Sequence, residues 1–116
     1  MPGVETSLAL MLDRVNKDLC TLPEVVNWMS ESPAKLYKMH GKGRIEVGQD
    51  ADLALIDMSL KKRVTNGKLH TRVNWSPFDG IELQGWPVRT IVNGQTVFFN
   101  GEVNKSVRGK EICFAS

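Results

Sequence analysis

A chain of 116 residues fits one compact domain, which would bury roughly two thirds of its extended surface. With 41% hydrophobic and 24% charged residues a packed core is expected and disorder is not, while a formal net charge of +2 is too small to imply a polyanionic partner. No apolar run approaches the ~20 residues of a membrane span and the N-terminus lacks a basic-then-apolar leader pattern, so the expected location is cytoplasmic.

The first forty residues read as helical. Val4, Leu8, Met11 and Val15 recur at spacings of four, three and four, which predicts one apolar face of an amphipathic helix. Asp13 and Lys17 form an i,i+4 pair of the favourable polarity on that helix. Thr21-Leu-Pro-Glu24 has the form of a capping box, with Thr21 as N-cap and Pro23 in the first turn; Val25, Val26 and Met29 are the expected buried face. Ser32-Pro33 opens a third short helix, because serine caps and proline is pre-set for a first helical position. Gly41 is the expected glycine past its last turn, and His40 the expected C-terminal residue complementing its dipole.

After Gly43 the character changes. Leu53-Ala-Leu-Ile56, bounded by Asp50, Asp52 and Asp57, suits a short buried strand. Val88–Val92 and Gln95–Phe99 flank Asn93-Gly94, a pair that tolerates positive φ at both positions and so predicts a two-residue type I′ hairpin over 88–99. Asn66-Gly67 and Asn100-Gly101 mark further turns. Helices first and strands afterwards argue α+β, or a piece of a larger fold. Met1-Pro-Gly begins inside what reads as a loop, and three helices would bury their apolar faces poorly on one small sheet; both favour the piece.

Several motifs stand in a telling order. Pro2-Gly-Val-Glu-Thr6, Ser32-Pro-Ala-Lys-Leu36, Gly41-Lys-Gly-Arg-Ile45 and Gly48-Gln-Asp-Ala-Asp-Leu53 are followed by Trp75-Ser-Pro-Phe-Asp-Gly80 and Gly85-Trp-Pro-Val88. The set resembles the C-terminal part of the dihydroorotases, within the metal-dependent cyclic amidohydrolases; Gly3-Val-Glu-Thr6 favours dihydroorotase over hydantoinase and allantoinase, which share the later motifs. The resemblance implies an α+β fragment. Residues 1–42 would be the last helices of a (β/α)8 barrel, with Pro2–Thr6 following the substrate pocket, and 43–116 part of the accessory β-domain. It further implies a parent that interconverts dihydroorotate and carbamoyl-aspartate in pyrimidine biosynthesis with zinc. Ser32 departs from the family's usual asparagine, a change between two capping residues.

The family's metal chemistry requires a histidine pair spaced one apart, further histidines, a carboxylated lysine and a proton-moving aspartate. None is matched here: His40 and His70 stand thirty residues apart, and no catalytic, substrate-binding or metal residue is assigned. No zinc is expected on this chain, and in isolation it is expected to be inactive.

The remaining candidates favour structural roles. Asp50 and Asp52 are expected to satisfy backbone amides ahead of a strand. Lys61, Lys62, Arg63, Lys68 and Arg72, with Trp75 nearby, could be called a nucleic-acid stripe, but a short charge cluster is more often a solvated surface. Trp75, Phe78 and Trp86 are expected as core anchors of an irregular crossover, and Cys20 and Cys113 as free thiols rather than one disulfide. A non-catalytic assembly module is the competing reading, with the Val4, Leu8, Met11 and Val15 face as its surface for homo-oligomerisation.

Overall fold

The computed structural model describes residues 3–70, 72–107 and 109. Cys113 and Met1-Pro2 lie outside them. In chain order the elements are α1 (Val4–Asn16), α2 (Leu22–Val26), a π-helical turn (Asn27–Glu31) and α3 (Ser32–Leu36), followed by β1 (Leu53–Arg63), a 3₁₀ turn (Asn66–Lys68), β2 (Glu82–Val92), β3 (Gln95–Phe99) and β4 (Glu102–Val103). The strands form a four-stranded sheet in the order β1-β2-β3-β4. The chain divides into two compact units: Met1–Thr21 with Ile56–Pro87, and Leu22–Leu55 with Val88–Ser116.

In the first unit α1 is the expected helix, but its most buried face is rotated from the expected one. Val4 is 93% exposed and Leu8, Met11 and Val15 are only half-buried, whereas Thr6, Ala9, Leu12 and Asp13 are buried. The reason is chemical: Asp13 and Asn16 bond strand backbone, and their face must therefore point inward. Ala9, Val64 and Leu83 form the centre of the core, with Leu10, Leu69, Phe78 and Trp86 packed against it. Each fully buried leucine contributes about 2 kcal/mol from the area removed from water. Past Asn16 the helix closes with Asp18 in the left-handed region, Leu19 N–H on the Arg14 carbonyl and Asp18 N–H on that of Val15, the Schellman pattern.

β1 runs seven residues beyond the expected Leu53–Ile56. Ile56, Met58 and Leu60 are half-buried while Asp57, Ser59 and Lys61 are exposed, so a two-residue period continues beneath the onset of the basic run. In β2, Gly85 has φ +107°, and a Cβ placed there would lie 2.7 Å from Leu12 Cβ. The glycine is what lets the strand approach α1 so closely.

In the second unit, α2, the π turn and α3 run on without a break from Leu22 to Leu36. Ser32 does not cap α3: it follows a helical Glu31, its N–H reaches the Asn27 carbonyl, and its hydroxyl bonds Asn27 Oδ1 at 2.9 Å. Pro33 cannot donate to the preceding turn, and the wider π turn accommodates that loss. Of the expected buried face only Val25 is buried; Val26 and Met29 are exposed. The helix ends on Lys38 rather than Gly41. Lys38 has φ +53°, Met39 N–H reaches the Ala34 carbonyl and Lys38 N–H that of Lys35. Gly41 instead lies against Asp50, and Gly43 packs against Ala34, where a Cβ would come within 2.5 Å of the Ala34 Cβ.

The 88–99 hairpin forms as expected. Val92 pairs with Gln95, and Asn93 and Gly94 both have positive φ. A register shift between Thr90 and Ile91 marks a bulge in this ladder. Asn100-Gly101 makes a second turn of the same kind, joining Phe99 to Glu102.

Gly85→Ala should destabilise the protein by about 1–3 kcal/mol through overpacking against Leu12, more than Gly67→Ala, where a Cβ meets open space. Urea denaturation of the two variants measures this.

Candidate functional site

The best-built polar cluster of the first unit joins α1 to two strands. Asp13, only 3% exposed, accepts the Gln84 N–H at 3.0 Å with one oxygen, and its other oxygen meets Lys17 at 2.9 Å and Arg14 at 3.3 Å. Asn16 Nδ2 donates to the Gln84 carbonyl at 2.8 Å and the Met58 carbonyl at 2.9 Å, with a longer contact to its own helix at Leu12. Burial pushes the Asp13 carboxyl up, but the Lys17 and Gln84 hydrogen bonds and the two nearby cations outweigh it and hold the pKa below its ordinary 3.8. The carboxylate is therefore held charged by its partners. With both oxygens engaged it has the character of a scaffold group, not of a general base.

A second cluster lies at the start of α1. Both Glu5 oxygens accept the His70 N–H, at 2.7 and 3.0 Å, and the imidazole Nδ1 is 3.7 Å from one of them. His70 is thus met through its backbone first. The loop around it is tied by Asp79 to the Asn66 N–H at 2.9 Å and by Asn66 Oδ1 to the N–H of buried Ser76 at 2.8 Å. Phe78 and Trp86 are anchors as expected, with Trp86 Nε1 on the Leu83 carbonyl at 2.9 Å, but Trp75 is 43% exposed. Two cations of the basic run are committed within the unit: Lys62 lies 4.9 Å from the Trp86 ring centre, and Arg63 donates to the Gly80 carbonyl.

The second unit has its own clasp. Lys42 bridges Asp50, at 3.0 Å, and Asp52, whose other oxygen accepts the Asn93 N–H at 2.9 Å. The Lys42 hydrogen bond is the main cause holding Asp52 below the usual carboxylate range; burial opposes it and the Asn93 N–H assists. Gly94 N–H on the Ala51 carbonyl and Asp50 N–H on that of Gly41 complete the arrangement. Asp52 satisfies a backbone amide in the expected way, though at the hairpin tip; Asp50 serves through its charge. Asp57 accepts both the N–H and hydroxyl of Ser59.

His40 lies four residues past the end of α3 and so cannot complement its dipole. It lines a shallow depression of ≈ 240 Å³ together with Glu31, Lys35, Lys38, Lys42 and Arg44. Glu31 answers Lys35 and Arg44, Glu46 answers Arg44 again, and the aspartates answer Lys42, so most of this positive charge is neutralised in place. Among the described residues no group of three or more His, Cys, Asp or Glu is placed to hold a metal ion. The donor set needed for metal-assisted hydrolysis does not fit the described residues. Among them, too, no helix is long and apolar enough to cross a membrane.

Sequence reasoning missed Asn16 entirely and saw in Asp13 only a surface pair. The available signal was the polar pair at i,i+3 in line with Thr6 and Ala9, a second inward stripe that hydrophobic periodicity overlooks.

The amidohydrolase family model matches residues 3–97. A dihydroorotase from Pyrococcus horikoshii is 38% identical over 97% of this chain and 27% of its own length. An L-hydantoinase from Paenarthrobacter aurescens is 42% identical over 87% of this chain and 22% of its own. Among solved structures, an L-hydantoinase (dihydropyrimidinase) from Arthrobacter aurescens matches with a TM-score of 0.84 and 41% identity, covering 88% of this chain and 23% of that one. The chain spans about a quarter of the length of the curated relatives it matches.

Asp13→Ala leaves the Gln84 N–H without its acceptor and should cost about 1–3 kcal/mol at neutral pH. Because the folded pKa is depressed, the charged form's contribution is complete above 3.8 and is lost as pH falls through the lower, folded value. The stability gap between wild type and Asp13→Asn should therefore narrow in acid, as denaturant melts at neutral pH and at about pH 3 would record.

Proposed function

This chain belongs to the amidohydrolase family, and on that premise we propose that it is the C-terminal part of a dihydroorotase-like enzyme of the cytoplasm. The parent interconverts dihydroorotate and carbamoyl-aspartate. In this reading residues 1–42 supply the last barrel helices, with Pro2–Thr6 following the substrate pocket, and residues 43–116 part of the accessory β-domain. The observation that carries it is the 38% identity to a dihydroorotase across 97% of the chain.

Zinc, implied for the parent, is then held by residues outside this chain, and no step of the hydrolysis is assigned to groups within it. The contribution of this segment is mechanical. The Asp13 and Asn16 clasp fixes α1 on β1 and β2 within the first unit, and the Lys42 clasp fixes the hairpin tip within the second. Without the metal donors the chain is inactive by itself.

A hydantoinase parent is the second reading, favoured by the 42% identity to an L-hydantoinase and by the TM-score of 0.84 to a solved one. Substrate preference decides between them. The natural polypeptide that carries this sequence, supplied with zinc, should turn over dihydroorotate with a kcat/KM at least about 100-fold above that for a 5-substituted hydantoin. The reverse preference, read in a spectrophotometric ring-opening assay, would establish the hydantoinase reading instead.

A further inference from the structure

We propose that Glu5 is a positioning residue, pinning the first turn of α1 to the loop that carries His70; the inference rests on the dihydroorotase-like reading above. Gly3, the residue ahead of α1, offers no side-chain cap. A glutamate in a first helical turn ordinarily serves the helix dipole from the surface. Here both carboxylate oxygens are directed at the N–H of a residue 65 positions away, at 2.7 and 3.0 Å. The neighbouring Leu69 packs against the core of the same unit, so the loop is held at two adjacent points, one apolar and one charged. A charged acceptor on a backbone N–H is among the stronger hydrogen bonds a surface can make.

Glu5 lies inside the Pro2–Thr6 segment that the proposed parent places after its substrate pocket. In that reading the clamp fixes the first turn of α1, and through it the edge of the pocket. Its loss should act on substrate binding more than on the chemical step.

In the natural polypeptide, Glu5→Ala is expected to raise KM for dihydroorotate about tenfold while kcat changes less than about threefold. Glu5→Gln keeps an oxygen for the His70 N–H and should stay within about threefold of wild type in both constants. Asp79→Ala loosens the same loop at Asn66, away from α1, and should leave KM unchanged, which separates positioning from general loss of stability. Hydrogen exchange at the His70 amide provides a readout independent of substrate and should quicken at least about tenfold in Glu5→Ala. An unchanged exchange rate, or an unchanged KM, overturns the proposal. Should the wild-type polypeptide prefer a hydantoin, the parent reading falls while the exchange measurement and the KM comparison on that substrate still judge the clamp.

Discussion

The arrangement of the first unit depends on two polar side chains of α1 acting as hydrogen-bond partners for strand backbone. Asp13 takes an N–H and Asn16 gives to two carbonyls, so the helix satisfies strand groups that apolar packing would leave without partners. Because buried polar groups are costly when unpaired, this requirement rotates the most buried face of α1 off the centre of the apolar stripe, whose Leu8, Met11 and Val15 stay half-buried. Leu12 then meets Gly85, and the absence of a side chain at that glycine sets how near strand and helix come. Lys17 and Arg14 complete the site by keeping the Asp13 carboxylate charged.

The second unit solves its own problem by similar means. A lysine between two aspartates joins the glycine-rich loop to the tip of a hairpin, and backbone bonds on either side fix the register. Gly41 and Gly43 are there for close approach and positive φ. Both units thus use ionised groups as fasteners. That explains why so many charged residues in the motifs of this chain point to structure rather than chemistry.

Much of this was legible in the residues. Asn93-Gly94 fixed a hairpin because its φ requirement is local, and the helical character of the first forty residues followed from apolar spacing and capping residues. The family also emerged from ordered motifs, none decisive by itself. What could not be read was any feature depending on distant partners. The inward face of α1 is set by Met58 and Gln84, and β1 continues beyond its apolar start beside β2. The end of α3 is local, but it rests on a lysine in the left-handed region, which residue type does not announce. The Glu5–His70 contact spans 65 residues and left no mark in local pattern.

If this segment supports an amidohydrolase without carrying its chemistry, as proposed, the isolated chain has no turnover of its own. The most direct measurement is dihydroorotate turnover by the purified 116-residue chain with zinc added. No rate above the uncatalysed background is expected. Robust, zinc-dependent turnover would contradict the proposal, since a complete metal site would then have to lie within these residues.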